Sequence, residues 1–390
     1  MYLIGIDISK YKHDCFIATE TGEIIKDTFS FTNNQQGFTE FYDVLQSLDP
    51  SQTKRIGLEA TGHYGRNLKV FCNKHSYTYM EFNPFLVKKF SSSLTLRKTK
   101  TDKVDSRLLS MILLSVEYKV YPVKSYHIEE IKSLVNVNYK TLVKKRSKEV
   151  TNITNILDYI FPEFKPFFSN KFSKTALFIL EHYQTPGKIA NMNSKSHDKL
   201  NSISRGKFSY AKFIKLKILA QETIGSSSEV LNAQLQSSLC IYNSFQAEID
   251  SIFDKLLELS KSISSPVFTI RGVGPISALS IISEYQNFIS FNSPAAMLSY
   301  AGLEPSVIQS GTIEKAGRMV KRGSGYLRET IMNVAPYFMM YNPTVYEYYH
   351  KKRNEGKPHR VALTHVAKKL IRIIFHLVKN DEPFDENKLK

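Results

Sequence analysis

Four acidic residues in the first third of the chain could act together. Asp7 and Glu59 each come at the end of a short apolar run, and Asp102 and Asp105 lie three residues apart at the start of a segment with helical spacing. Clustered carboxylates repel one another unless cations neutralise them, and hard divalent ions such as Mg²⁺ or Mn²⁺ suit oxygen ligands. The four residues therefore predict a divalent-ion site of the kind that cleaves phosphodiester bonds.

Each acid taken singly has a simpler explanation. Asp102 and Asp105 could be first-turn acids that favour the helix dipole, and Glu59 could be a solvated strand end. An acid at the end of an apolar run is uncommon, and here it occurs twice. This joint placement favours a shared function.

The elements that must position these acids predict an RNase H-like domain. Five strands are predicted, at residues 2–8, 13–19, 24–31, 55–59 and 77–82, with helices at 38–48, 64–75 and 102–118. This order is typical of an RNase H-like fold, in which an antiparallel hairpin is added to parallel strands with helices on the faces. There the first and fourth strands end side by side and the last helix crosses them, so we expect the acids to converge.

The rest of the chain is predicted to be mainly helical. Long helices at residues 127–160 and 228–263 could pair as a helical hairpin or coiled coil, within the chain or between protomers. Ser, Asn and Lys clusters at about 189–206 indicate loop. We predict three domains: an α/β catalytic domain at 1–120, a helical linker or coiled-coil region with a loop-rich insertion at 121–264, and a mainly helical basic domain at 265–390.

The charge indicates a polyanionic partner. The chain has 53 Lys and Arg against 36 Asp and Glu, a net charge of +17. Residues 1–118 carry 15 basic and 13 acidic residues, whereas the remainder carries 38 and 23. Nucleic acid is the commonest partner for such an excess, although an AT-rich genome would also raise the lysine content.

Several protein classes are excluded at this stage. No apolar run is long enough to span a membrane, and the first residues lack a basic segment followed by an apolar one, as a secretory signal requires. Cys15, Cys72 and Cys240 are far apart and form no C-x-x-C pair. We therefore expect neither structural zinc nor disulfides, and a cytoplasmic location.

A glycine-rich segment begins the basic C-terminal region. Arg271, Gly272 and Gly274 precede an apolar helical segment at residues 276–282. Glycines let backbone N–H groups approach a phosphate, and a helix N-terminus favours an anion. The segment predicts a helix-hairpin-helix-like contact to a nucleic-acid backbone, although a tight turn without a ligand is the simpler interpretation.

The acidic segments resemble the DEDD transposases of the insertion-sequence 110 family, which are related to Piv-type DNA invertases. The resemblance lies in Gly5-Ile-Asp-Ile-Ser-Lys10, Glu59-Ala-Thr-Gly62 and Lys100-Thr-Asp-Lys-Val-Asp105, in the family's order. Asn83-Pro84 also matches, while Ser106 stands where the family more often has Ala. The family's N-terminal domain is similar to the RuvC Holliday-junction resolvase, which implies a RuvC-like domain binding divalent ions through the four acids.

A serine in the C-terminal region matches the same family. Ser299-Tyr-Ala-Gly-Leu-Glu-Pro305 followed by Gln309-Ser-Gly311 resembles its serine motif, although Gln309 replaces a common acid. By this resemblance Ser310 is the nucleophile, and its attack on DNA leaves a covalent phosphoserine that conserves bond energy for rejoining. From the residues alone, a serine beside glycine is usually an ordinary loop residue, and Ser306 and Ser324 are nearby alternatives.

A run of cations follows the serine. It comprises Lys315, Arg318, Lys321, Arg322 and Arg328, against two acids, Glu314 and Glu329. Such cations could hold phosphates or stabilise developing charge. A solvated face is the alternative.

The resemblance implies a transposase or site-specific recombinase of an insertion sequence. It further implies a homo-oligomer, dimer or tetramer, on two DNA sites in the bacterial nucleoid, guided by a structured RNA from the element. Two alternatives stay open: a resolvase-like, metal-dependent nuclease in which water attacks, and a non-enzymatic nucleic-acid-binding protein with vestigial acids.

Overall fold

A computed structural model describes residues 1–60, 62–94, 102–115, 126–286, 288–310 and 313–389. The chain divides into two units, Met1–Ser125 and Tyr126–Lys390. No helix in the described ranges is both long and apolar enough to cross a membrane.

The first unit is built on a mixed five-stranded sheet. Its strands are β1 (Tyr2–Ile8), β2 (Lys12–Thr19), β3 (Ile24–Thr32), β4 (Lys54–Glu59) and β5 (Tyr79–Phe82). Their spatial order is β3-β2-β1-β4-β5, with β1, β2 and β3 antiparallel and β4 and β5 parallel to β1. All five strands lie where the sequence predicts them, to within a few residues.

Helices cover both faces of this sheet. They are α1 (Gln35–Gln46), α2 (Arg66–Lys74), α3 (Pro84–Leu94) and α4 (Asp102–Ser115). Ile4 and Ile6 of β1 pack into the same core as residues of α1 and α2. Leu3 instead packs with Leu109 and Leu113 of α4. The alternation of side chains along β1 therefore assigns one face to α1 and α2 and the opposite face to α4.

The second unit begins with long helices and a group of short ones between them. The helices are α5 (Tyr126–Lys132), α6 (Lys140–Ile160), α7 (Phe164–Phe167), α8 (Lys174–His182), α9 (Pro186–Ala190), α10 (Ser194–Ile203), α11 (Tyr210–Gln221) and α12 (Glu229–Lys261). A π-helix, Ser133–Tyr139, joins α5 to α6. Helices α6 and α12 pack against each other, so the two predicted long helices are present and paired within the chain.

Residues 161–227, which we call the insertion module, form a small helical unit at one end of this pair. Its buried residues, among them Phe164, Ile179, Leu200 and Phe213, share one core with the adjoining parts of α6 and α12. The loop predicted at 189–206 is wrong, because α9 and α10 occupy most of it. Asn193 caps α10 in a capping box with Ser196. Here the polar residues begin a helix instead of breaking one.

The C-terminal part of this unit is mainly helical, as predicted, with one hairpin. Its elements are α13 (Pro275–Tyr285), α14 (Pro294–Tyr300), β6 (Glu304–Ser310), β7 (Ile313–Val320), α15 (Gly325–Met340), α16 (Pro343–Asn354) and α17 (His359–Asn380). Its core includes Leu327, Ile331, Phe338, Leu370 and Ile374. The two strands pair antiparallel and form a sheet of their own.

Candidate active site

Asp7 and Glu59 lie side by side at one edge of the first sheet. Ile6 of β1 pairs with Leu58 of β4 in parallel register, so Asp7 and Glu59 are each one residue further along neighbouring strands. Such strands are about 4.8 Å apart, and residues in register point to the same face. Both acids are partly exposed. The predicted convergence of these two carboxylates is therefore supported by the strand register.

The face that carries these acids is the one covered by α4. A side chain added at Gly5, two residues before Asp7, would overlap the carbonyl oxygen of Ser106 and lie 2.5 Å from the amide nitrogen of Ser110. Only glycine lets the helix approach β1 so closely. Ser106 is fully buried beside this contact, which explains why a residue as small as serine or alanine occupies it. Asp105 directly precedes Ser106.

The other half of the quartet is less completely described. Asp102 begins α4, as predicted, but its side chain lies outside the described part of the structure. Asp105 is partly exposed. Within the described ranges, no three His, Cys, Asp or Glu side chains lie close enough to hold a metal ion together. The four-carboxylate metal site stays a prediction.

Asp14 is a fifth acid at this edge, and no sequence motif pointed to it. In the antiparallel register of β1 and β2 it lies directly opposite Asp7, and it is only 4% exposed. Its carboxylate accepts a hydrogen bond from the Ser30 hydroxyl and pairs with the Lys12 ammonium at 3.1 Å. The short turn between β1 and β2, at residues 9–11, is the sequence signal that could have placed Asp14 opposite Asp7. Asp14 therefore lies opposite Asp7 as a carboxylate that is already paired with Lys12 and hydrogen-bonded to Ser30.

Ser310 lies in a different setting from the loop that the sequence suggested. It is the last residue of β6, where it pairs with Ile313 of β7, and its side chain lies outside the described part of the structure. Gly311 and Thr312, between the strands, also lie outside it. The loop interpretation is wrong for this residue, because the hairpin extends through it.

The side chains of three of the five predicted phosphate-binding cations are described, and they differ in their surroundings. Lys321 and Arg322 are exposed after β7. Arg328 instead donates to the backbone carbonyl of Ala301 at 3.2 Å, which ties α15 to the end of α14. The side chains of Lys315 and Arg318 lie outside the described ranges. Arg328 therefore has a structural contact that the sequence did not reveal, and phosphate binding by this run stays a prediction.

The glycine-rich segment also divides into a packed and an open part. Gly272 has φ +88°, and a side chain there would lie 2.8 Å from the backbone of Phe338 in α15. Gly274, the N-cap of α13, has no atom within 4 Å of the same position. Arg271 is exposed and pairs with Glu386 at 3.0 Å. Gly272 thus has a packing role, and the open N-terminus of α13 begins at Gly274.

A buried hydrogen-bond network lies beneath the serine hairpin. Glu284 of α13 is 2% exposed and accepts a hydrogen bond from the Ser324 hydroxyl at 2.7 Å. Ser324 caps the N-terminus of α15, four residues after β7 ends. The Tyr300 hydroxyl donates to the Glu284 carbonyl at 3.1 Å. Glu284 therefore fixes the segments that lead into and out of the hairpin.

The same network reaches the π-helix. Asn136, 1% exposed, donates to the Glu284 carboxylate at 2.8 Å. The Lys132 ammonium pairs with the same carboxylate at 3.3 Å. Lys140 donates to the Thr330 hydroxyl at 2.6 Å. Burial lowers the pKa of Lys140 to about 8, although the nearby carboxylates of Glu329 and Glu284 act to raise it. The π-helix, a feature with no sequence signal here, aims Asn136 into this network.

Comparison with known proteins matches two segments of the chain to transposase families. Residues 4–162 match the family model of IS110-type DEDD transposases. Residues 264–350 match the model of the IS116/IS110/IS902 transposase family. The first match contains β1, β4 and α4, and the second contains the serine hairpin.

Two relatives align with nearly the whole chain and a third with part of it. A pilin gene-inverting protein of Moraxella bovis is 24% identical over 391 residues, which cover 98% of this chain and 97% of the relative. An insertion element IS116 protein of Streptomyces clavuligerus is 20% identical over 98% of this chain and 95% of its own. An insertion element IS110 protein of Streptomyces coelicolor is 28% identical over 41% of this chain and 39% of its own.

Proposed function

This chain belongs to the IS116/IS110/IS902 family of transposases, and we propose that it cuts and rejoins DNA through a serine nucleophile and bound divalent ions. The family acts in DNA recombination. The finer proposal assigns Ser310 as the nucleophile and Asp7, Glu59, Asp102 and Asp105 as the ligands of Mg²⁺ or Mn²⁺.

The observation that carries the metal half is the register of β1 and β4. Asp7 and Glu59 are neighbours on the α4 face, both partly exposed, and α4 begins at Asp102. A carboxylate set of this kind fits a hard divalent ion. Bound there, the ion would activate an attacking oxygen and stabilise the leaving one. The order of strands and helices supports an RNase H-like, RuvC-like fold for this part of the chain.

The serine step is a transesterification. The Ser310 oxygen forms a bond to a DNA phosphorus, the phosphodiester bond to one DNA oxygen breaks, and that oxygen takes a proton and leaves as a hydroxyl. Attack by a hydroxyl of another strand reverses the exchange and frees Ser310. No external energy source is needed, since one phosphodiester bond replaces another. The proposed phosphate contacts are the open backbone at Gly274 and the side chains of Arg271, Lys315, Arg318, Lys321 and Arg322. Gly272 shapes the turn.

The test is strand exchange between two DNA sites by Ser310→Ala, with Ser306→Ala as the matched control on the same strand. We expect Ser310→Ala to lose cleavage and joining while Ser306→Ala keeps both. Normal exchange by Ser310→Ala would refute the serine mechanism. Cleavage without joining by the same variant would favour the alternative, a resolvase-like nuclease in which water attacks.

Assembly and guidance complete the proposal. Recombination joins two DNA sites, so we propose a dimer or tetramer, with a structured RNA of the element choosing the sites. The family resemblance and the net charge of +17 support a nucleic-acid complex. Within the chain, we propose three domains with the limits 1–120, 121–264 and 265–390. Recombination that proceeds at full rate after ribonuclease treatment of the complex would exclude the RNA guide.

A further inference from the structure

Helices α8 to α11 of the insertion module lie outside both matched segments, which are residues 4–162 and 264–350. The module carries 11 Lys and Arg against 4 Asp and Glu. This excess of positive charge, on a small unit that shares its core with the adjoining parts of α6 and α12, favours a polyanionic ligand apart from the reaction chemistry.

Five cations of the module lie on α10, on the turn that follows it and in the first turn of α11. They are Lys195, Lys199, Arg205, Lys207 and Lys212, which we call the corner patch, and all five are exposed. The single acid within residues 195–212 is Asp198, which faces the His197 ring at 3.5 Å. Among the described residues, no ion pair engages the first four of these cations. The corner patch is therefore a surface of uncompensated positive charge.

The backbone at Arg205 is strained. Its φ is +54°, in the left-handed region where glycine and asparagine are the usual residues. A charged, β-substituted residue there costs about 1 kcal/mol or more relative to glycine. Arg205 is exposed at this turn, so its guanidinium is accessible to an anion.

The corner patch is also rigidly supported. The Ser204 hydroxyl accepts a hydrogen bond from the Phe208 amide at 2.9 Å, and the Lys212 ammonium donates to the Lys207 carbonyl at 3.4 Å. Below the turn, the His197 ring packs edge-on against Tyr210 at 5.2 Å. These contacts hold the backbone of the turn, so less loop entropy is lost when an anion binds there.

We propose that the corner patch binds the sugar–phosphate backbone of double-stranded DNA outside the reaction centre. DNA is the substrate of this family, and exposed Lys and Arg on a rigid turn fit phosphates without reading sequence. Tyr210, 59% exposed beside the patch, can pack on the sugar edge. The contact goes beyond the proposed chemistry, because it requires neither Ser310 nor the acidic quartet.

The test compares two double variants in the full chain carrying Ser310→Ala, so that no reaction intervenes. The first is Arg205→Asn with Lys207→Gln, where asparagine tolerates the left-handed backbone. The control is Lys174→Gln with Lys188→Gln, two exposed lysines of α8 and α9. Affinity for a fluorescent DNA duplex of unrelated sequence is measured by anisotropy over a range of salt concentrations.

Log affinity falls linearly with log salt concentration, and each lost phosphate contact reduces the magnitude of this slope by about 0.9. We expect the slope to fall by about 2 in the corner-patch variant and to stay unchanged in the control. An unchanged slope, or an equal fall in the control, would overturn the proposal. So would a fall seen with duplex RNA and not with DNA. A change in the protein's mass in solution with DNA affinity intact would instead identify a protein contact. The assay measures DNA binding and not recombination. Each of these outcomes can therefore be observed even if Ser310→Ala abolishes recombination.

Discussion

Asp7 and Glu59 lie on central strands of a five-stranded sheet, whereas Ser310 lies at the end of a hairpin that forms a sheet by itself. Strand β1 has a hydrogen-bonded neighbour on each side and helices on both faces. A lone two-stranded ribbon is marginally stable. The acids are therefore positioned by the strands that carry them, and the serine by the residues at the base of its hairpin.

This difference separates two kinds of mutational effect. At the sheet edge, we expect that removing a carboxylate abolishes the proposed metal binding and leaves the framework intact. At the hairpin, the buried residue Glu284 holds Ser324, which follows β7, so we expect it to influence Ser310 indirectly. Substitutions in the two regions should thus differ in whether stability and activity change together.

The largest effect is expected at the sheet edge. Asp7→Asn removes one proposed ligand and should lower divalent-dependent DNA cleavage by about 100-fold or more, with an unchanged melting temperature. The matched control is Asp43→Asn, an exposed acid on α1, which should cleave normally. Cleavage by Asp7→Asn within a few fold of the parent would contradict a metal role for this edge.

The framework of the same edge should be sensitive to volume. Gly5→Ala places a methyl group against the backbone of Ser106 and Ser110, so α4 must shift or the strand must bend. We expect a loss of about 2 kcal/mol in the stability of the first unit, measured by denaturant unfolding. Gly187→Ala, in α9 with open space around it, should cost nothing. An equal stability for both variants would show that α4 does not pack as described.

The base of the hairpin should couple stability to activity. Glu284→Gln removes the ion pair with Lys132 and a hydrogen bond from Ser324 or Asn136, at a cost of about 1–3 kcal/mol. Strand joining should fall while DNA affinity is kept, because the serine is displaced and the DNA contacts are not. Glu258→Gln, exposed on α12, is the control. Normal joining by Glu284→Gln would break the proposed link between the network and the serine.

A smaller effect, on the pH dependence of stability, is expected from replacing His13. This residue of β2 is buried against Phe31 and Phe38. Burial lowers the pKa of its imidazole below the usual value of 6.5. The unfolded chain therefore binds more protons than the folded one as the pH falls below about 6.5, so stability is lost in that direction. His13→Leu should flatten this part of the stability–pH curve of the first unit. A curve unchanged by the substitution would mean that other groups control it.

The first unit was largely predictable because its patterns are local. Short apolar runs bounded by turns define β1 and β4, and the acids at their ends follow from them. Asp14 was missed because its relation to Asp7 depends on the register of a hairpin, which fixes the cross-strand partner. The contact of Gly5 with α4 was missed for a related reason, since it joins residues about 100 positions apart in sequence.

The second unit was predicted less completely. The long helices α6 and α12 have strong periodicity. The strands β6 and β7 instead contain several polar residues, and β6 ends at the Ser-Gly pair, a sequence that indicates loop. Their pairing is a property of the hairpin as a whole. Helices α9 and α10 were missed because Asn193 and its neighbours are equally common in loops and at helix N-termini.

The central claim is that Ser310, carried by the hairpin, becomes covalently joined to DNA. The direct measurement is to quench a reaction on a DNA substrate under denaturing conditions, digest protein and DNA, and locate the nucleotide-bearing peptide by mass spectrometry. The proposed mechanism predicts a phosphoserine–DNA adduct at Ser310 that Asp7→Asn fails to form. An adduct at Ser306 or Ser324, or cleaved DNA with no adduct on the protein, would contradict it.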